Sequence, residues 1–217
     1  MAEHYPAEVF GFPVTNRSAE AQVIRERFWC PFVDAVCNKK SRLIDYPMGV
    51  CSAQVGENTV AICPRRFLQD HTVFRDIALD YFGSTSDLLL FSEVRLKGVG
   101  SFDYVLVRHK PMSSEIDDFV IVELQTDQTT STGKLIDALN DFQSGKDVTG
   151  KNYGFGMNTY DTLKRSCIQI LNKGVVMEQW EQRIYWVFQS PVFDNLSERY
   201  NPEFSDGSDR TNVFVVY

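Results

Sequence analysis

Two apolar runs with acidic residues set inside them constrain this chain more than any other stretch. The run Phe102, Asp103, Tyr104, Val105, Leu106, Val107 predicts one buried strand, and Phe119, Val120, Ile121, Val122, Glu123, Leu124, Gln125 predicts its neighbour. Side chains alternate along a strand, so Glu123 and Gln125 share a face with Leu124 turned to the other. A favourable register brings Asp103 beside them. Two carboxylates converging at the end of a sheet make a hard, oxygen-rich site suited to Mg²⁺, where an ion activates water and offsets charge on a reacting phosphate. Spacing alone also admits a plainer alternative, in which these are ordinary acids solvated at strand ends.

The flanking sequence builds a sheet around this pair. Asp87 to Leu96 reads as a further strand, and the turn Lys97-Gly98-Val99-Gly100 joins it to the Asp103 strand, giving a three-strand meander. Glu93 is then either a third carboxylate near Asp103 or an exposed strand-end residue. Thr72 to Phe82 predicts a helix with Thr72 as its cap and Gly83 at its exit. Lys134 to Phe142 predicts a helix returning across the sheet. Asn158 to Lys173 predicts another, with Leu163, Cys167, Ile170 and Leu171 inward and Gly174 ending it. Between them lies a glycine-rich polar stretch, Gln143 to Gly156, expected to be a surface loop. Arg183 to Gln189 reads as a strand, Asn195 to Thr211 as loop and Asn212 to Tyr217 as a last strand. Three antiparallel strands, a helical crossover and further strands predict an α/β fold with a mixed central sheet flanked by helices.

Upstream, Ser18 to Trp29 predicts a helix capped by Ser18, Pro31 opens a short helix running to Cys37, and Met48 to Val55 with Asn58 to Cys63 predicts a hairpin turning at Gly56-Glu57-Asn58. Four of the five cysteines, Cys30, Cys37, Cys51 and Cys63, fall in this segment, and Cys167 stands apart as expected core packing. Four thiolates can hold one tetrahedral zinc or iron ion and staple a segment poor in core-forming length. Four buried free thiols fit the same spacing, which lacks a pair of cysteines two residues apart. The expected organisation is a small N-terminal module over residues 1–70 and a core over 71–217.

A length of 217 residues suits one well-buried domain with a small appendage. The formal charge of −7 argues mildly against an obligate nucleic-acid binder, since phosphate neutralisation needs Lys and Arg, yet bound Mg²⁺ and a local basic groove can offset it. The N-terminal segment, with Glu3, His4, Pro6 and Glu8, has neither the basic start nor the apolar core of a secretory signal, and no apolar run is long enough to span a membrane. The expectation is a cytoplasmic protein.

The order of elements, with Asp103 on one strand and Glu123 on the next, resembles the core of the PD-(D/E)xK nuclease superfamily, whose signature places Lys two residues after the Glu. Here Gln125 stands there. The combination of Cys30-Pro31-Phe32, Cys37, Gly49-Val50-Cys51, Cys63-Pro64 and Glu123-Leu124-Gln125-Thr126 resembles, more narrowly, the NotI-like type II restriction endonucleases. That resemblance implies a restriction-endonuclease-like core, Mg²⁺-dependent cleavage of double-stranded DNA by a homodimer, and a structural iron on Cys30, Cys37, Cys51 and Cys63, for which zinc is the alternative. It further implies catalytic roles for Asp103, Glu123 and Gln125, with Glu93 as an additional acid, and longer relatives that continue past the position of Tyr217. Competing functions are a catalytically idle DNA-binding or assembly protein and a repair or phage-defence nuclease of the same fold without fixed sequence preference.

Overall fold

A computed structural model describes residues 2–205 and 210–217. The chain opens on strand β1 (His4–Val9), which the apolar pattern does not announce because Pro6 and Glu8 interrupt it. Helix α1 (Ala19–Glu26) begins where expected, with the Ser18 hydroxyl accepting the Ala21 N–H at 3.2 Å. The hairpin of β2 (Val50–Val55) and β3 (Asn58–Ala61) turns through Gly56 at φ +62°, a conformation glycine adopts without strain. Helix α2 (Thr72–Phe82) ends on Gly83 at φ +67°, but His71 rather than Thr72 precedes its first turn, without a side-chain cap. Then come β4 (Leu88–Leu96), β5 (Gly100–His109), β6 (Ile116–Gln125), α3 (Thr132–Gln143), α4 (Thr159–Gln169), α5 (Val175–Gln179), β7 (Ile184–Phe188), α6 (Ser190–Tyr200) and β8 (Asn212–Val216).

Several expectations are corrected. The segment from Cys30 to Cys37 is not a helix: Trp29–Cys30 pairs antiparallel with Ala35–Val36 in a minimal hairpin, with Asp34 in the left-handed region at φ +48°. Gly174 does not terminate the helix that begins near Asn158. Residues Ile170–Gly174 form a single π-turn through which α4 continues into α5, because Gly174 keeps right-handed helical angles. Cys167 and Leu171 point to solvent, so the inward stripe of that helix is Leu163 with Thr162 and Ser166. The stretch expected to be loop from Asn195 begins instead inside α6, which Pro191 helps start. Of that stretch, residues 206–209 lie outside the described residues.

Two compact units emerge: Met1–Asp70 with Thr126–Thr159, and His71–Gln125 with Tyr160–Tyr217. In the first, the short strand Phe12–Pro13, β1, β2 and β3 form an antiparallel sheet in that order. Its core joins Val9, Phe10, Val50 and Ala53 to the apolar face of α3, Leu135, Ile136, Leu139 and Phe142, and includes Cys30 and Cys37. The helix face follows the 3.6-residue period expected from Leu135, Ala138, Leu139 and Phe142.

In the second unit five strands run in the order β8, β7, β6, β5, β4. The pairs β4–β5 and β5–β6 are antiparallel, whereas β6–β7 and β7–β8 are parallel. Short turns suffice for the antiparallel pairs, and the long excursion between β6 and β7, containing α4 and α5, supplies the crossover a parallel pair requires. One face of this sheet presents Val105, Val107, Ile121, Ile184, Trp186 and Phe188 to Leu163, Met177, Val192 and Leu196 of the helices. On the other face α2 packs with Phe74 against Tyr104, ring centroids 5.0 Å apart. The sheet is therefore mixed and helix-covered, as the pattern of runs implies.

Gly49 tests the packing of the first unit. It sits at φ +64°, and a Cβ there would lie 2.3 Å from the Phe10 ring. Gly49→Ala therefore combines backbone strain with overpacking, and the expected loss is about 1–3 kcal/mol or more, read as a lowered midpoint in thermal or urea unfolding.

Candidate active site

Strand register assembles the acidic residues. Tyr104 pairs with Val122 across β5 and β6, so one step further along the same register Asp103 faces Glu123. Ser92 pairs with Tyr104 and Val94 with Phe102 across β4 and β5, which brackets Glu93 opposite Asp103. Glu93, Asp103 and Glu123 thus form a row across three adjacent strands, and Trp186 of β7 continues it beside Glu123. The alternation of β6 sends Glu123 and Gln125 to the same face as Ile121, the face covered by α4 and α5. Glu93 is exposed and holds φ +53° inside its strand, an unusual conformation for a residue with a Cβ.

The surroundings of these side chains differ sharply. Asp103 is half-buried, and its Oδ2 accepts the Leu124 N–H at 2.9 Å. Burial pushes its pKa up, with Glu93 adding to the rise, while the Leu124 hydrogen bond and Lys173 oppose it. Glu123 is 0% exposed. Desolvation, then the neighbouring Asp103, pushes its carboxyl up to about 7, against the opposing pull of Lys173. Glu123 Oε1 accepts a hydrogen bond from Lys173 Nζ at 2.7 Å, and the same ammonium donates to the Ser101 carbonyl at 2.6 Å. Glu123 Oε2 is buried with no hydrogen-bond partner among the described residues.

Lys173 is the residue that the sequence pattern misses. It reads there as the polar end of an amphipathic helix, and no spacing rule links position 173 to position 123. In the structure it lies in the π-turn between α4 and α5, 7% exposed, facing the sheet. The inserted residue of a π-turn shifts the helical phase, so side chains beyond it present a different face than a continuous α-helix would. Gln125 is buried too, and both ends of its amide are engaged by α4. Its Nε2 donates to Gln169 Oε1 at 3.0 Å, and the Ser166 hydroxyl donates to its Oε1 at 2.6 Å.

A buried carboxylate oxygen without a donor, beside a second carboxylate, is a poor resting place for an anion and a good one for a hard cation. The Asp103 and Glu123 pair therefore offers oxygens to a divalent ion such as Mg²⁺, whereas Glu93, exposed on β4, is not arranged with them as a third ligand.

The four upstream cysteines behave differently. Cys30, Cys37, Cys51 and Cys63 are all buried in the first unit. Cys51 and Cys63 are joined through the backbone, the Cys63 N–H donating to the Cys51 carbonyl at 3.2 Å. Burial, with Cys63 and Cys30 adding to it, pushes the Cys51 thiol up to about 12, and burial likewise raises Cys30. Lys39 donates to the Ile62 carbonyl at 2.6 Å; desolvation lowers its pKa, while Cys63, Cys51 and Cys37 pull it back up. The four sulfurs share one neighbourhood. As placed they do not fit a metal centre: among the described residues, no group of three or more His, Cys, Asp or Glu side chains is arranged to hold a metal ion. The four-cysteine metal module expected from sequence is thus not assembled. Cys30 and Cys37 serve the apolar core, where a thiol packs as a small hydrophobe.

The sheet is mixed and helix-covered, and within it Glu123 lies buried beside Lys173 with the half-buried Asp103 next to it. The protein-family description "Restriction endonuclease NotI" matches residues 8–209, nearly the whole chain. The chain belongs to the NotI restriction endonuclease family. No curated protein matches it. Among the described residues no helix is long and apolar enough to cross a membrane.

The elevated Glu123 carboxyl carries a pH signature. Because its proton is held more tightly in the folded state, that state carries the extra proton between about 4.5 and about 7. Stability of the metal-free protein should therefore be highest below about 4.5, where the Glu123 contribution is fully present, and fall as pH rises through that window, by up to roughly 1.4 kcal/mol per pH unit. Thermal midpoints of wild type and Glu123→Gln, compared across the window without metal, should show the steeper decline in wild type.

Proposed function

We propose that the chain hydrolyses phosphodiester bonds of double-stranded DNA at a specific sequence, using Mg²⁺ held by Asp103 and Glu123. The observation that carries this reading is the buried, unpartnered Oε2 of Glu123 set in register beside Asp103. When bound, Mg²⁺ supplies an acidified water and positive charge against the phosphate. The residues of the chain do the rest. Asp103, fixed by the Leu124 N–H, and Glu123, fixed through Oε1, present oxygens in a defined direction. Water adds to phosphorus and gives a proton up to solvent, the bond to the leaving oxygen breaks, and that oxygen takes a proton from solvent. Glu93, exposed at the near edge of the row, is the further acid of the site.

Gln125 takes a different part from the one its position first suggests. An amide can neither accept a proton at neutral pH nor supply positive charge. With both ends engaged by Ser166 and Gln169, it fastens α4 to β6 and so fixes what that helix carries.

Membership of a restriction endonuclease family supports double-stranded DNA as substrate, a homodimer that cuts both strands, and action in the cytoplasm. A structural iron, or zinc, on Cys30, Cys37, Cys51 and Cys63 belongs to the same reading. Their shared buried neighbourhood supports it, and binding requires the thiols to lose protons and draw together. Metal analysis of the purified protein checks this: about one iron or zinc per chain is expected, and neither metal would remove the site.

Digestion of a long sequenced DNA with Mg²⁺, followed by mapping of the ends, tests the central reading. Discrete ends at one repeated sequence are expected. Dispersed ends would instead indicate a nuclease without sequence preference, and a gel shift without cleavage an idle binder. Asp103→Asn and Glu123→Gln should each cut at least about 100-fold more slowly while still shifting DNA in Ca²⁺.

A further inference from the structure

The site contains a positive charge that nothing in the linear sequence places there. Lys173 reaches Glu123 from the π-turn between α4 and α5, and its ammonium is nearly sealed from solvent. Burying a lysine costs several kcal/mol unless it is paired and hydrogen-bonded, so its position is specified and not incidental. Three independent contacts specify it: Glu123 Oε1 at 2.7 Å, the Ser101 carbonyl at 2.6 Å, and the Phe102 ring with its centroid 5.3 Å from Nζ. Ser101 and Phe102 immediately precede Asp103 on β5, so the ammonium ties together the strands that carry both carboxylates.

The helix that delivers Lys173 is itself held at the site. Ser166 and Gln169, about two turns and one turn before Lys173, grip the Gln125 amide. On the far side, a Cβ at Gly174 would lie 2.3 Å from Asn212 Oδ1, the atom that accepts the Trp186 indole N–H at 3.1 Å. A side chain at Gly174 would have to displace the Asn212 amide. The two neighbours of Lys173 along the helix are thus fitted to the sheet from both directions.

We propose that Lys173 is the lysine of this active site, supplied from a helix in place of the side chain two residues beyond Glu123, where Gln125 stands. It is a positioning residue that acts through Glu123. By occupying Oε1 it turns Oε2, the unpartnered oxygen, toward the incoming cation. It also leaves one fixed positive charge beside the carboxylate pair, where negative charge builds on a phosphate during hydrolysis. Gln125 and Lys173 then divide between them the work of one residue: Gln125 docks the helix, and Lys173 brings the charge. This inference rests on the nuclease reading above.

The test is relocation of the charge. Lys173→Met, close in length and uncharged, should still shift DNA in Ca²⁺ and cut about 100-fold or more slowly with Mg²⁺. The double variant Gln125→Lys, Lys173→Met returns an ammonium to the sheet beside Glu123 and should recover at least tenfold of that loss. A purely structural lysine would not be rescued from a different element. Lys173→Met cutting at the wild-type rate would overturn the inference, as would a loss that the second lysine fails to recover in a folded double variant. Should the methionine variants not fold, a structure of the wild-type protein with Ca²⁺ and uncut duplex decides. Nζ bonded to Glu123 Oε1 with Oε2 on the metal supports the proposal, and Nζ turned away overturns it. Wild-type protein that cuts no DNA under any Mg²⁺ condition would sink the nuclease reading itself, an outcome distinct from both.

Discussion

A carboxylate without access to water is the constraint on which the second unit depends. Glu123 lies in the middle of β6, a strand whose other residues from Val120 to Leu124 are buried and apolar. Burying its charge alone would cost several kcal/mol even after relaxation. The structure answers with one ammonium, from Lys173, but the row contains a second carboxylate, Asp103, so a single cation leaves the pair under-compensated. Burial first, and neighbouring carboxylates second, shift both carboxyls upward, and one oxygen of Glu123 lacks a donor. The same buried strand explains the rest of the architecture: β6 is flanked on both sides by strands and covered on its acidic face by helices, which excludes water from Glu123.

Excluding water sets the terms for catalysis as well. Electrostatic interactions weaken little over a few ångströms in a dry site, so fixed groups there stabilise developing charge without reorganising. The devices that fix them are unusually indirect. The Leu124 N–H aims Asp103, the Gln125 amide holds α4, and a π-turn brings Lys173 back over the sheet. That π-turn lies at the point where Lys173 reaches Glu123.

The first unit is organised by a different balance. Its antiparallel sheet packs on α3, and its buried thiols act electrostatically on the half-buried Lys39 ammonium, yet Cys30 and Cys37 contribute to an apolar core. Four buried cysteines in one region are equally the composition of a metal site and of a sulfur-rich core. Only the distances between sulfurs distinguish them, and spacing along the chain does not set those distances when a hairpin, not a helix, connects Cys30 to Cys37.

The sequence by itself determined the sheet and its acids. Continuous apolar runs defined β5 and β6 and marked β4, glycines marked the ends of α2 and of the β2–β3 turn, and the positions of Asp103 and Glu123 followed from the apolar residues around them. These features are local, fixed by alternation and by the angles glycine permits. The sequence left open what depends on phase and distance. The inward face of the helix after Asn158, the burial of Cys167, the course of the chain after Asn195 and the convergence of the cysteines all differ from the pattern-based expectation. Lys173 is the clearest case. Its fifty-residue separation from Glu123 carries no local signal, and one inserted residue in a helical turn is enough to move a side chain from one face to another. Tertiary structure alone decided that a lysine belongs at the site, because only the packed sheet creates the buried negative charge that a lysine there can satisfy.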